Sequence, residues 1–313
     1  MSGLGIVAGL ATAVLWTATA VCFEAAMRRI GSLAVNVLRM VVAALLFVSL
    51  SLWRTGHLLP QGLAGFMWRD LALSGLVGFV VGDLMLFQAF VLIGARSSML
   101  IYATVPTMTA VAGYLFLGER IRALGVLGML VTSVGIGAAV LGKPTTEASV
   151  RSSRRLGILL AIGGSAGQAA GLLLGKHGAA KMDAFAATEI RVLAGLAGFL
   201  IVAMSLQKLS SIGAIVATAL GLIRKSDGGW VRSARVALAT LSLGGLFGPF
   251  LGVSLGLLSA QLLPAGIAST LMSIVPVLLV PVSAIVFRER VTAIEIGGTI
   301  IALAGVALLA VHP

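Results

Sequence analysis

Two copies of one motif lie 170 residues apart in this chain. Val105-Pro106 leads to Glu119-Arg120, and Val275-Pro276 leads to Glu289-Arg290, with the proline thirteen residues before the glutamate each time. The same shift superposes Gly78 on Gly248, Gly82 on Gly252, Gly128 on Gly298 and Gly135 on Gly305 without a gap. A repeat of this length makes each half of the chain a template for the other.

The units are too apolar for a soluble domain. Of the residues, 59% are hydrophobic and only 10% charged, against about 25% charged in an ordinary soluble protein. Mean hydropathy is +1.12, and many runs reach the roughly 20 apolar residues that cross a bilayer as helix. These runs are too long, and too rich in Gly, Ala and Leu, for barrel strands that alternate over about ten residues. The fold class is an all-α polytopic membrane protein. The first run continues to Phe23 with no Lys or Arg before it, unlike a cleaved signal peptide.

The excess of 22 Lys+Arg over 10 Asp+Glu does not indicate nucleic-acid binding. The basic residues sit in short loops, where they set orientation and touch anionic head groups. One cysteine, Cys22, excludes an internal disulfide framework, and no spacing of His, Cys or carboxylates forms a metal site or calls for a cofactor.

Ten spans are expected, at about 4–23, 33–53, 70–92, 97–117, 122–142, 156–175, 184–206, 236–259, 264–287 and 292–311. The early part repeats at a shorter shift of 152, matching Leu4-Gly5-Ile6 with Leu156-Gly157-Ile158 and Arg39 with Arg191. The difference of 18 residues places an insertion between spans seven and eight, around 207–235. Within it Leu209, Ile212, Ile215, Val216, Ala219, Leu220 and Ile223 follow helical spacing and end at Arg224-Lys225. They form either a helix lying in the membrane interface or one that packs on the bundle. Residues 1–143 make the first unit, 144–155 a polar basic linker, and 156–313 the second unit. Five spans is an odd number, so the second unit must cross the membrane in the opposite sense. Inverted repeats of this kind are the architecture of secondary transporters.

Span six carries Gly163, Gly167, Gly171 and Gly175, and span eight carries Gly244, Gly248, Gly252 and Gly256. Four-residue spacing puts each set on one face, where another backbone can approach closely. The stretch Gly163-Gly164-Ser165-Ala166-Gly167 matches a hydrolase nucleophile elbow only in letters. That elbow needs a strand-to-helix turn and a histidine, whereas His57, His177 and His312 fall in loops or at the terminus.

Asp83 lies in the middle of span three, where a carboxylate is costly and faces a cavity or a base. It either couples protons or pairs with Arg39. Arg39 and Arg191 anchor at the head groups, pair with an acid, or hold an anionic substrate group. Trp16, Asn36, Gln88, Tyr102, Gln168, Gln261, Ser269 and Ser273 complete the candidate cavity lining, or else tie helices together. Glu119-Arg120 and Glu289-Arg290 read as structural corners, each glutamate meeting the positive end of a helix. Pro106 and Pro276, in mid-span, remove a hydrogen bond and permit a kink in the cavity wall.

These residues resemble the EamA-type transporters of the drug/metabolite transporter superfamily, over nearly the whole chain. The resemblance rests on the five-plus-five spans, Trp16, the stretch Leu38-Arg39-Met40, and the duplicated unit from Pro106 to Gly118-Glu119-Arg120. The second copy departs by carrying Arg288 where the first has Gly118. The resemblance implies a transporter, not an enzyme. It would export a small metabolite, an amino acid or a drug-like compound, across a bacterial inner membrane, with protons as the candidate coupling ion. A flippase for a lipid-linked head group is the alternative, and a membrane-embedded enzyme a more remote one. The family is drawn with both termini inside, whereas the Lys and Arg of the odd-numbered loops favour termini outside.

Overall fold

The computed structural model describes residues 3–142, 154–180, 182–222, 228–286 and 291–311. Among them no strand occurs, and seven helices are long and apolar enough to cross a membrane. The first half comprises α1 (Gly3–Ile30), α2 (Ser32–Thr55), α3 (Gly65–Gly75), α4 (Asp83–Tyr102), α5 (Val105–Leu117) and α6 (Ala123–Gly142). The second comprises α7 (Arg154–Gly178), α8 (Ala184–Ser205), α9 (Leu209–Ala219), α10 (Gly228–Gly245), α11 (Val253–Leu262), α12 (Ala265–Met272), α13 (Val275–Val286) and α14 (Ala293–Val311).

Between α3 and α4 the helix widens into a π-helical segment, Leu76–Gly82, and between α10 and α11 it widens again at Leu246–Gly252. The two segments are related by the 170-residue shift, end for end. Such segments are rare and concentrate at functional sites.

The halves are not side by side. The glycine ridge of α7 meets the first half, with Gly171 against Gly78, Gly167 against Gly82 and Gly178 against Leu71. A Cβ on Gly171 would lie 2.7 Å from the Gly78 Cα, so α7 has no room for a side chain there. The ridge around the second π segment meets α1 instead, placing Gly244 on Phe23, Gly248 on Thr19, Gly252 on Trp16 and Gly256 on Thr12. The opening helix of each half therefore packs inside the other half.

The helices α6 and α14 are repeat mates and pack on one another. Gly135 lies against Ala302, Gly298 against Ala139 and Gly305 against Thr132, a register that runs antiparallel. Mate helices meet antiparallel only across a two-fold axis perpendicular to both.

Two expectations need correction. The boundary between spans three and four, placed at 93–96, falls inside α4. In the second half the equivalent point is a true break, because Pro264 replaces Gly94 and its fixed φ and missing N–H stop α11 before α12 begins.

Pro106 and Pro276 do not kink continuous helices. Each stands in the first turn of a new helix, where no N–H is required, and the chain has already broken before it. Hydroxyls cover the carbonyls exposed at these breaks: Thr104 donates to Ile101 O at 2.6 Å and Ser273 to Thr270 O at 3.0 Å. The prolines that do lie inside helical segments are Pro249 and Pro281.

The inserted segment forms α9, which packs on the bundle through Ile212, Ile215 and Val216. Its C-terminal Ala219 carbonyl accepts from Arg235 Nε at 3.1 Å. Most of the expected linker, Ile223 with Arg224-Lys225, and the second corner at Glu289-Arg290 lie outside the described residues.

Candidate functional site

The deepest polar cluster gathers around Asp83. The first π segment ends at Gly82, so Asp83 opens α4 at the point where the helix narrows again. Arg39, two turns into α2, forms an ion pair with it, and both side chains are largely buried. Gln168 of α7 donates from Nε2 to Asp83 Oδ1 at 2.8 Å and to the Gly78 carbonyl at 3.1 Å. The Arg39 guanidinium also lies 5.5 Å from the Phe23 ring centroid, a cation–π contact with α1. Helices α1, α2, α4 and α7, from both halves, thus converge on one carboxylate.

Trp16 occupies the related position in the second half. Its indole lies against Gly252 as Gln168 lies against Gly82, and these pairs are mates under the two shifts. Arg191, the mate of Arg39, is buried on α8 with its guanidinium 5.4 Å from the Phe79 ring centroid. The mate of Asp83 is Val253, which joins the apolar core.

The remaining candidates do not form one set. Tyr102 faces Asp83. Asn36 is buried on α2, three residues before Arg39. Ser269 is buried where α12 meets α5, accepting from Thr109 at 3.5 Å. Gln261 is spent elsewhere, donating to the Ala179 and Met182 carbonyls at 2.7 and 3.0 Å. Gln88 is exposed. Ser273 covers the helix break already described.

A second polar cluster closes one end of the bundle. Gly118 adopts a left-handed φ of 65° after α5, and the Glu119 N–H returns to Gly113 O at 3.1 Å. That turn directs the Glu119 carboxylate over Gly113, which has no side chain to block it. The carboxylate accepts the Ala265 N–H at 2.7 Å and pairs with Lys176, which also donates to Leu263 O at 2.6 Å. Glu119 therefore does meet a helix N-terminus, but that of α12 in the opposite half. Close by, His177 Nδ1 and Arg69 Nε engage Asp70 at 2.7 and 2.8 Å. His177 sits in the last turn of α7 rather than in a loop.

Several of these partners escaped the sequence reading. Lys176 and Asp70 lie at the ends of the expected spans six and three, where a charge draws no attention. Glu189, buried on α8 and accepting from Ser51 at 3.0 Å, was a second charge in a span and so could have been found. Thr292 and Glu295 form a reciprocal capping box at the start of α14, a spacing visible in the sequence. Among the described residues, no three His, Cys, Asp or Glu come together to hold a metal ion.

A solved crystal structure aligns with 98% of this chain and 96% of its own at TM-score 0.73 and 15% identity, a likeness of fold alone. No curated protein matches the sequence. The model of the EamA-like transporter family matches twice, over residues 3–141 and again over 155–311. With nearly every residue inside one or other match, this multi-pass membrane protein belongs to the EamA-like transporter family.

Proposed function

We propose that the chain is a secondary transporter of ten spans that exports a small metabolite across a bacterial inner membrane. The two inverted halves would alternate a central site between the two faces. The observation that carries this reading is the antiparallel packing of the mate helices α6 and α14, with a buried charge cluster drawn from both halves. Related half-bundles of opposite sense give two states of similar energy, which is what alternating access requires. The Glu119–Lys176 pair and the Ala265 bond close one end in the state described. Opening that end would separate them.

Asp83 is the candidate coupling group. A proton would compete with Arg39 for the carboxylate and release the pair. The purified protein in liposomes should carry flux of an amino acid, nucleoside or organic acid, and a proton gradient should change it. No flux with any of these would overturn the reading. Asp83→Asn should remove the proton dependence, and pH-dependent transport that survives it would return Asp83 to a structural role.

One feature favours a flippase for a lipid-linked head group as a second reading. A groove of about 440 Å³ opens between α2, α8 and α9, lined by aliphatic residues including Val37, Leu38, Leu200 and Val216. Tight co-purification of a polyprenyl or phospholipid substrate would favour it over export of a soluble metabolite.

A further inference from the structure

The two halves treat their matched arginines differently. Arg39 has Asp83 against it, whereas Asp83's mate is the aliphatic Val253. Arg191 lies seven residues into α8, about 10 Å along the axis. It is 5% exposed, too buried to reach head groups by snorkelling. Its Nε has no acceptor, and among the described residues Arg191 makes no hydrogen bond or ion pair.

Among the described residues no nearby carboxylate is free to serve it. Asp83 is occupied by Arg39 and Gln168, and Asp70 by Arg69 and His177. Glu189 is two positions away, so it projects from the opposite side of α8, and it accepts from Ser51. A guanidinium stays charged in a protein, and burying one unpaired is costly. Its contact with Phe79 offsets only part of that cost.

The Phe79 ring supplies no lone-pair acceptor, so the N–H fork of the guanidinium, which matches a carboxylate or phosphate, keeps its donors unspent. Gly175 makes room for the guanidinium itself, since a Cβ there would stand 3.1 Å from the Arg191 Cζ. Resting on the transporter reading above, we infer that Arg191 is an anion-recognition residue and that the substrate carries a carboxylate or phosphate group. The ligand supplies the negative charge that the first half builds in as Asp83.

The test uses the full chain in detergent and in phosphatidylcholine liposomes. The probes are glutamate, lactate and glycerol 3-phosphate, with uridine and a quaternary amine as comparators. The anions should raise the melting temperature at millimolar concentration and be carried saturably, while the comparators do neither. Arg191→Gln should abolish the anion-induced melting shift and lower anion kcat/KM at least tenfold, with Arg191→Lys retaining part of both. Anion transport and stabilisation unchanged in Arg191→Gln would overturn the inference, as would carriage of the comparators alone. If Arg191→Gln does not fold, stabilisation of the unmutated chain by anions and not by comparators decides. Arg191-dependent stabilisation by phosphatidylglycerol alone would assign the anion to a lipid head group and overturn the substrate assignment. Absence of all flux overturns the transport reading, and the melting shifts then judge Arg191 on their own.

Discussion

Asp83 and Arg39 hold each other inside an apolar bundle, and each is costly without the other. Removing one partner from such a pair typically costs about 3–5 kcal/mol, because the remaining charge stays buried. Asp83→Asn should therefore lower the unfolding midpoint in detergent markedly. The double change Asp83→Leu with Arg39→Leu should recover most of that loss, since two apolar side chains leave no orphan. A double variant as unstable as the single one would show that Gln168 and Gly78, not the charge pair, dominate the site. Both charges were legible in the sequence because each is isolated in an apolar run. Gln261 was not, since a sequence gives a residue's depth along a span but not the direction in which its side chain reaches. The result is an amide at the end of α11 that turns out to tie down a neighbouring loop.

The helices report their own requirements through small residues and prolines. Gly171→Val would drive a branched side chain into the Gly78 backbone, and overpacking of this kind costs about 1–3 kcal/mol or more. Size-exclusion profiles after detergent extraction should show aggregated rather than monodisperse protein. Pro106→Ala, by contrast, should shift stability by no more than about 1 kcal/mol, because the proline occupies a first turn that needs no donor. A large loss would mean that Pro106 itself holds the helix break open. The glycine ridges announce themselves by four-residue spacing. The π segments do not, because a wider turn has no compositional signature, and only comparison of the halves shows that both positions carry one. The breaks before Pro106 and Pro276 were half legible: the prolines mark the place, but the sequence does not say whether a helix bends or stops.

Across the whole molecule the halves touch at many points, and covalent capture of one should arrest them. Thr109 on α5 and Ser269 on α12 have hydroxyl oxygens 3.5 Å apart, close enough for a disulfide with little backbone movement. With Cys22→Ser to remove the native thiol, Thr109→Cys with Ser269→Cys should form a bridge under mild oxidation. Liposome flux should then fall sharply and return on reduction. Undiminished flux through the bridged protein would show that α5 and α12 move as one body during transport. The duplication was the most legible level of all, because two copies of one motif at a fixed shift mark the same two units that the family model matches. The exchange of opening helices between the halves was hidden, since a repeat shows which segments are alike but not which of them touch.

That exchange bears on how the protein is made. The partner of Thr12 across the α1 interface is the carbonyl of Gly252, 240 residues later in the chain. At ribosomal speeds of 5–20 residues per second, roughly 10–50 s pass between synthesis of the two. During that interval the first helix is in the membrane with its intended contact face uncovered, and some other surface must shield its threonines and tryptophan. The insertion machinery, or a newly made helix holding the place temporarily, becomes a participant in the assembly of this bundle.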